Sequence, residues 1–106
     1  MAYQVIWSPD ALEDLNGIGE FIARDSAINA RMVVTTIYES SSRYGNHPRA
    51  ATIVRELGDE RYRHRLVYGW RVIYRIDDEA QTVVILSVLH TRRQFDSVQG
   101  RFLDLE

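Results

Sequence analysis

The chain has 106 residues, 45% of them hydrophobic and 26% charged, which suits one ordinary globular domain around a single core. It has no cysteine, so a disulfide framework and a thiolate metal site are excluded. No apolar run approaches the ~18 residues of a membrane helix, and the N-terminus carries no signal-peptide pattern. The expectation is a single cytoplasmic domain over 1–106, with 94–106 as a C-terminal tail.

The net charge of −2 hides an uneven spread. Residues 10–25 carry Asp10, Glu13, Asp14, Glu20 and Asp25 against Arg24 alone. Residues 61–75 carry Arg61, Arg63, Arg65, Arg71 and Arg75, with His64 and no acid. All thirteen basic residues are arginine, so every cation is a planar fork suited to phosphate or carboxylate.

In chain order, residues 3–7 alternate Tyr3, Val5 and Trp7 and predict a short strand. Ser8 and Pro9 then fit the N-cap and first position of a helix over about 9–24. Asp10, Glu13 and Asp14 lie near the positive end of its dipole. Ala11, Leu12, Leu15, Ile18 and Ile22 form its apolar stripe. Asp25 and Ser26 make a turn into a second helix running to about residue 44, with Ala30, Val33, Val34, Ile37 and Tyr44 inward. The β-branched run 33–37 makes a strand the rival reading there. The short link implies an antiparallel helical hairpin, which the breakers of 45–48 end. Residues 51–57 offer a short strand and Gly58-Asp59 a turn. Strands over 61–68, 70–77 and 82–90 follow, with links short enough for an antiparallel meander. The fold class expected is therefore α+β, with a helical hairpin on one face of a small, mainly antiparallel sheet.

Side chains alternate across a strand. If the helices bury Val72, Tyr74 and Ile76, a bare opposite face could gather Arg61, Arg63, Arg65, Arg71 and Arg75. That outcome depends on the parity of the turn at Gly69. Such a face would hold a polyanion or an acidic partner. His90 closes an apolar strand and is a candidate proton carrier, with a structural role equally open. His64 reads as a packed or rim residue and His47 as a loop residue. Scattered histidines make no metal motif, no phosphate loop or nucleophile motif occurs, and no cofactor is expected.

The order strand, helical hairpin, meander, with SPDALEDL, VRELG, YRHRLVYGWRVIYRI and VILSVLHTRR along it, resembles the RelE/ParE superfamily of type II toxin–antitoxin toxins over about 3–95. The resemblance implies a growth inhibitor neutralised by a cognate antitoxin, a small acidic protein with a DNA-binding N-terminus. RelE-like members are metal-independent ribonucleases acting on messenger RNA at the ribosome. ParE-like members inhibit DNA gyrase and are linked to plasmid stabilisation. On the RelE pattern, Arg63, Arg65 and Arg71 would contact the phosphate and His90 would carry the proton, since the pattern's tyrosine has no counterpart. On either pattern Arg61, Arg75, Arg92, Arg93 and Phe95 are expected at the target- or antitoxin-binding edge. The R-V-I-Y-R-I and V-L-H-x-R-R segments and the acidic net charge favour the ParE-like branch. A non-toxic antitoxin-binding module is the third reading.

Overall fold

The structure is a computed structural model, described here for residues 2–91. Its elements are β1 (Gln4–Trp7), α1 (Pro9–Ala23), α2 (Ala27–Ser41), β2 (Thr52–Ile53), β3 (Tyr62–Val67), β4 (Trp70–Asp77) and β5 (Thr82–His90). Single 3₁₀ turns occupy Pro48–Ala50 and Arg55–Leu57 on either side of β2. The expected tail at 94–106 lies outside the described residues. Among the described residues, no helix is long and apolar enough to cross a membrane.

The helix starts are set by local chemistry. The Ser8 hydroxyl accepts from the Ala11 N–H and Pro9 opens α1; the Ser26 hydroxyl accepts from the Asn29 N–H at the start of α2. The run 33–37 is helical, because Ile37 enters the core while Val33 and Val34 pack against it at helical spacing. On α1, Ala11, Leu15 and Ile18 are buried, whereas Leu12, expected in the same stripe, is 47% exposed.

The sheet order is β1-β5-β4-β3-β2, with β1 parallel to β5 and every other pair antiparallel. Both helices cover one face. The core joins Ala11, Leu15, Ile18, Ile37 and Tyr44 to Val72, Tyr74, Ile76, Val83, Ile85 and Val88. Tyr44 stacks on Tyr74 at 5.4 Å between ring centroids. The Trp7 indole N–H donates to the Ser41 hydroxyl at 3.0 Å, tying β1 to α2. Behind α2 the chain passes very close to β1. The Tyr3 N–H donates to the Gly45 carbonyl at 2.9 Å, and a Cβ at Gly45 would be driven into the Tyr3 carbonyl.

The opposite face is not bare. Val54, Tyr62, Ile73, Leu86 and Leu89 form a second buried cluster, with Leu57 and Val84 against it. One extra residue in β5 shifts the register between Ile73 and Tyr74. The Asp14 carboxylate of α1 reaches this bulge, accepting from the Val88 N–H at 3.0 Å and the Ser87 hydroxyl at 3.3 Å. An acid read from sequence as a dipole partner thus satisfies the irregular strand.

Candidate functional site

The parity left open at Gly69 is set by a two-residue turn of Tyr68 and Gly69, which pairs Val67 with Trp70. Tyr68 holds the left-handed backbone that this turn needs, with φ +57°. In that register Arg63 lies opposite Tyr74 and Arg65 opposite Val72, on the helix-covered face. Arg71 lies opposite Leu66 and Arg75 opposite Tyr62, on the other face. The expected single arginine face does not exist: the sheet separates Arg63 and Arg65 from Arg71 and Arg75.

Several of these arginines are also engaged within the chain. Arg63 is only 8% exposed. Its guanidinium donates to the carbonyls of Glu60 at 2.7 Å, Arg49 at 2.9 Å and Ala51 at 3.0 Å, and to the Glu60 carboxylate at 3.1 Å. Arg61 pairs with Asp59 at 2.7 Å. Arg71 grips Glu56 with two hydrogen bonds of 2.8 Å and donates through Nε to His64 Nδ1 at 3.1 Å. These bonds hold the Glu56 carboxyl at about 2, well below its ordinary value. Burial, reinforced by the Arg71 charge, pushes the His64 imidazole toward neutrality. Asp78 is held at about 2 by hydrogen bonds from Arg49 and the Tyr3 hydroxyl. Arg65 and Arg75 form no ion pair among the described residues, and each keeps a buried Nε without a hydrogen-bond partner.

His90 lies at the end of β5, on the face opposite Arg71. It pairs across strands with Trp70, edge-on to the indole at 4.9 Å. With Glu13, Asp14, Gly17 and Phe21 it lines a groove beside α1. Arg71 and His90 belong to opposite faces of the sheet. The Arg63–Arg65–Arg71–His90 constellation expected of a nuclease is therefore not assembled. Arg92, Arg93 and Phe95 lie outside the described residues. Among the described residues, no group of three or more His, Asp or Glu side chains could hold a metal ion.

Two features went unread in the sequence. One is apolar exposure on the helical hairpin: Phe21 is 64%, Ile28 82% and Met32 51% exposed. The available signal was their position, since Phe21 falls off the α1 stripe, and Ile28 and Met32, four residues apart, fall off that of α2. The other is a groove of about 810 Å³ along β3, between the end of α2 and the loop before β2. Arg43, Tyr44, His47, Arg65 and Val67 are among its lining residues, and none of the lining residues is acidic.

Residues 5–95 match the family described as the ParE toxin of type II toxin–antitoxin system, parDE. Solved structures share the fold. A chain of the toxin–antitoxin complex RelBE2 from Mycobacterium tuberculosis is 26% identical, with a TM-score of 0.62 over 85% of this chain and 99% of that one. A chain of the chromosomal ParDE system from P. aeruginosa is 15% identical, with a TM-score of 0.70 over 86% and 98%. An arginine-to-alanine double variant of the E. coli toxin RelE in the free state is 18% identical, with a TM-score of 0.69 over 99% and 98%. No curated protein sequence matches. With the family match spanning nearly the whole chain and the hairpin-on-sheet architecture common to these toxin structures, the chain belongs to the ParE toxin family of type II toxin–antitoxin systems.

Proposed function

We propose that the protein inhibits growth by binding DNA gyrase, without nuclease chemistry, and that a cognate antitoxin neutralises it. One observation carries the choice of branch: the four candidate nuclease groups do not converge. Cleavage by a ribose 2′-hydroxyl needs cations around one phosphate and a proton carrier beside it. Here Arg63 is spent on main-chain carbonyls, Arg71 is held by Glu56, and Arg71 and His90 lie on opposite faces of the sheet. A surface for binding a large protein does not require such convergence.

An antitoxin partner is supported by the neighbouring toxin–antitoxin complexes. It has apolar ground to cover at Phe21, Ile28 and Met32. The purified protein is expected to block gyrase supercoiling while leaving transcripts intact in a translating extract. Unimpaired supercoiling at saturating protein removes this reading. A RelE-like ribonuclease is the second reading, favoured by the 26% identity to the RelBE2 chain. Transcript cleavage that is lost in Arg65→Ala and His90→Ala, both still folded, would put it first.

A further inference from the structure

Helix α2 turns Ala30, Ile37 and Ser41 toward the core and carries a second stripe on its opposite side. Ile28, Arg31, Met32, Thr35, Tyr38 and Glu39 recur there at three- and four-residue spacing, and all six are exposed. Tyr38 is 53% exposed yet held in place, its ring stacked on Trp7 at 5.6 Å between centroids. Beside Met32 the surface sinks into a groove of about 450 Å³ that Ile28, Thr35 and Thr36 also line. A helix with one buried face ordinarily keeps the other polar. Three large apolar residues in line on the outer face mark a surface made for contact.

The stripe is complementary to itself. Arg31 and Glu39 lie four residues to either side of Thr35. Within one helix they are about 12 Å apart along the axis and cannot meet. Neither forms an ion pair among the described residues. Two copies of α2 laid antiparallel about a two-fold axis at Thr35 bring each residue opposite the one equally far on the other side. Arg31 then meets the partner's Glu39, and Glu39 meets the partner's Arg31. Met32 meets the partner's Tyr38, whose ring enters the groove beside the thioether. Thr35, a small residue, stands at the crossing, where the axes come closest. A parallel pair would set Arg31 against Arg31 and Glu39 against Glu39, so the charges select the antiparallel arrangement.

We propose that the outer face of α2 docks a second copy of this chain, the two helices antiparallel about Thr35 with two Arg31–Glu39 pairs flanking the Met32–Tyr38 contacts. A single helix pair makes a small interface, so the dimer is reversible, with a Kd on the order of 10–100 µM. An antitoxin that covers Ile28 and Met32 competes with it. The pairing is independent of whether gyrase is the target.

The test is sedimentation equilibrium of the full chain without antitoxin. A monomer–dimer equilibrium is expected, weakened at least about tenfold by Arg31→Glu or by Glu39→Arg, since each sets like charges opposite one another. Mixing the two variants should restore the dimer, because every facing pair is then opposite in charge. That rescue excludes misfolding as the cause of either loss. The chain has no cysteine, so Thr35→Cys places a single thiol at the two-fold axis, and mild oxidation should link two chains through it. A chain that stays monomeric at about ten times the expected Kd leaves the stripe to another protein and overturns the proposal. A dimer untouched by the single variants, or one that mixing does not restore, places the contact elsewhere and also overturns it.

Discussion

Replacing Arg63 by methionine keeps the length of the side chain and removes a guanidinium that holds three carbonyls. Those carbonyls belong to Arg49 and Ala51 before β2 and to Glu60 before β3, so one side chain fastens both flanks of the 52–59 excursion. At 8% exposure, water does not readily replace the lost donors. Hydrogen bonds to a charged donor contribute roughly 1.5–3 kcal/mol each. Three at the low end of about 1.5 kcal/mol give about 4.5 kcal/mol, in the range expected for breaking a buried charged network. That is a large share of the ~5–15 kcal/mol available to a small domain. It corresponds to a fall of about 20 °C in Tm. Urea and thermal melts of Arg63→Met and Arg63→Lys measure it. Lysine should recover only part of the loss, because its single ammonium cannot reproduce the fork. Glu60→Gln is the control: its carboxylate is exposed, so little change is expected. A loss under about 1 kcal/mol in Arg63→Met would refute the reasoning, and would return Arg63 to the list of groups available for work on a substrate.

Gly45→Ala should cost about 3 kcal/mol, because the added methyl meets the Tyr3 backbone rather than a movable side chain; a melt within 1 °C of the parent, on the order of a surface change, contradicts the close approach. Tyr68→Gly should raise stability by about 1 kcal/mol, since φ +57° strains a side chain that is 62% exposed and contributes little packing; a lowered Tm would show that the ring matters. Acid should destabilise the fold in a defined window. Glu56, at about 2 in the folded chain against 4.5 ordinarily, binds its proton more weakly when folded, so its contribution is present above about 4.5 and lost as the pH falls toward 2. Glu56→Gln should flatten urea midpoints across that window, and an unchanged slope would show that the Arg71 pair does not govern it.

Much of the architecture could be read from local pattern. Ser8-Pro9 and Ser26 announce the helix starts because capping is a contact between near neighbours in the chain. The expected strands at 70–77 and 82–90 match β4 and β5, where apolar residues run long enough to exclude other readings. The arginine face failed on two counts. First, Glu56, Asp59 and Glu60 lie just before residue 61 and engage Arg71, Arg61 and Arg63. Second, strand parity across a hairpin turns on a single residue in the connection, and Tyr68-Gly69 is one of several lengths that the pattern allowed.

Periodicity, capping and breakers, then, are short-range, and they already specified two helices followed by a β-meander with the family likeness that this order carries. Which side of the sheet each guanidinium occupies, which carboxylate meets it, how a second cluster under Val54 fills the opposite face and where β3 is left without a neighbour are long-range outcomes. They depend on register and on contacts between residues far apart in the chain, and only the closed three-dimensional packing selects among the alternatives that a linear pattern leaves equal in energy.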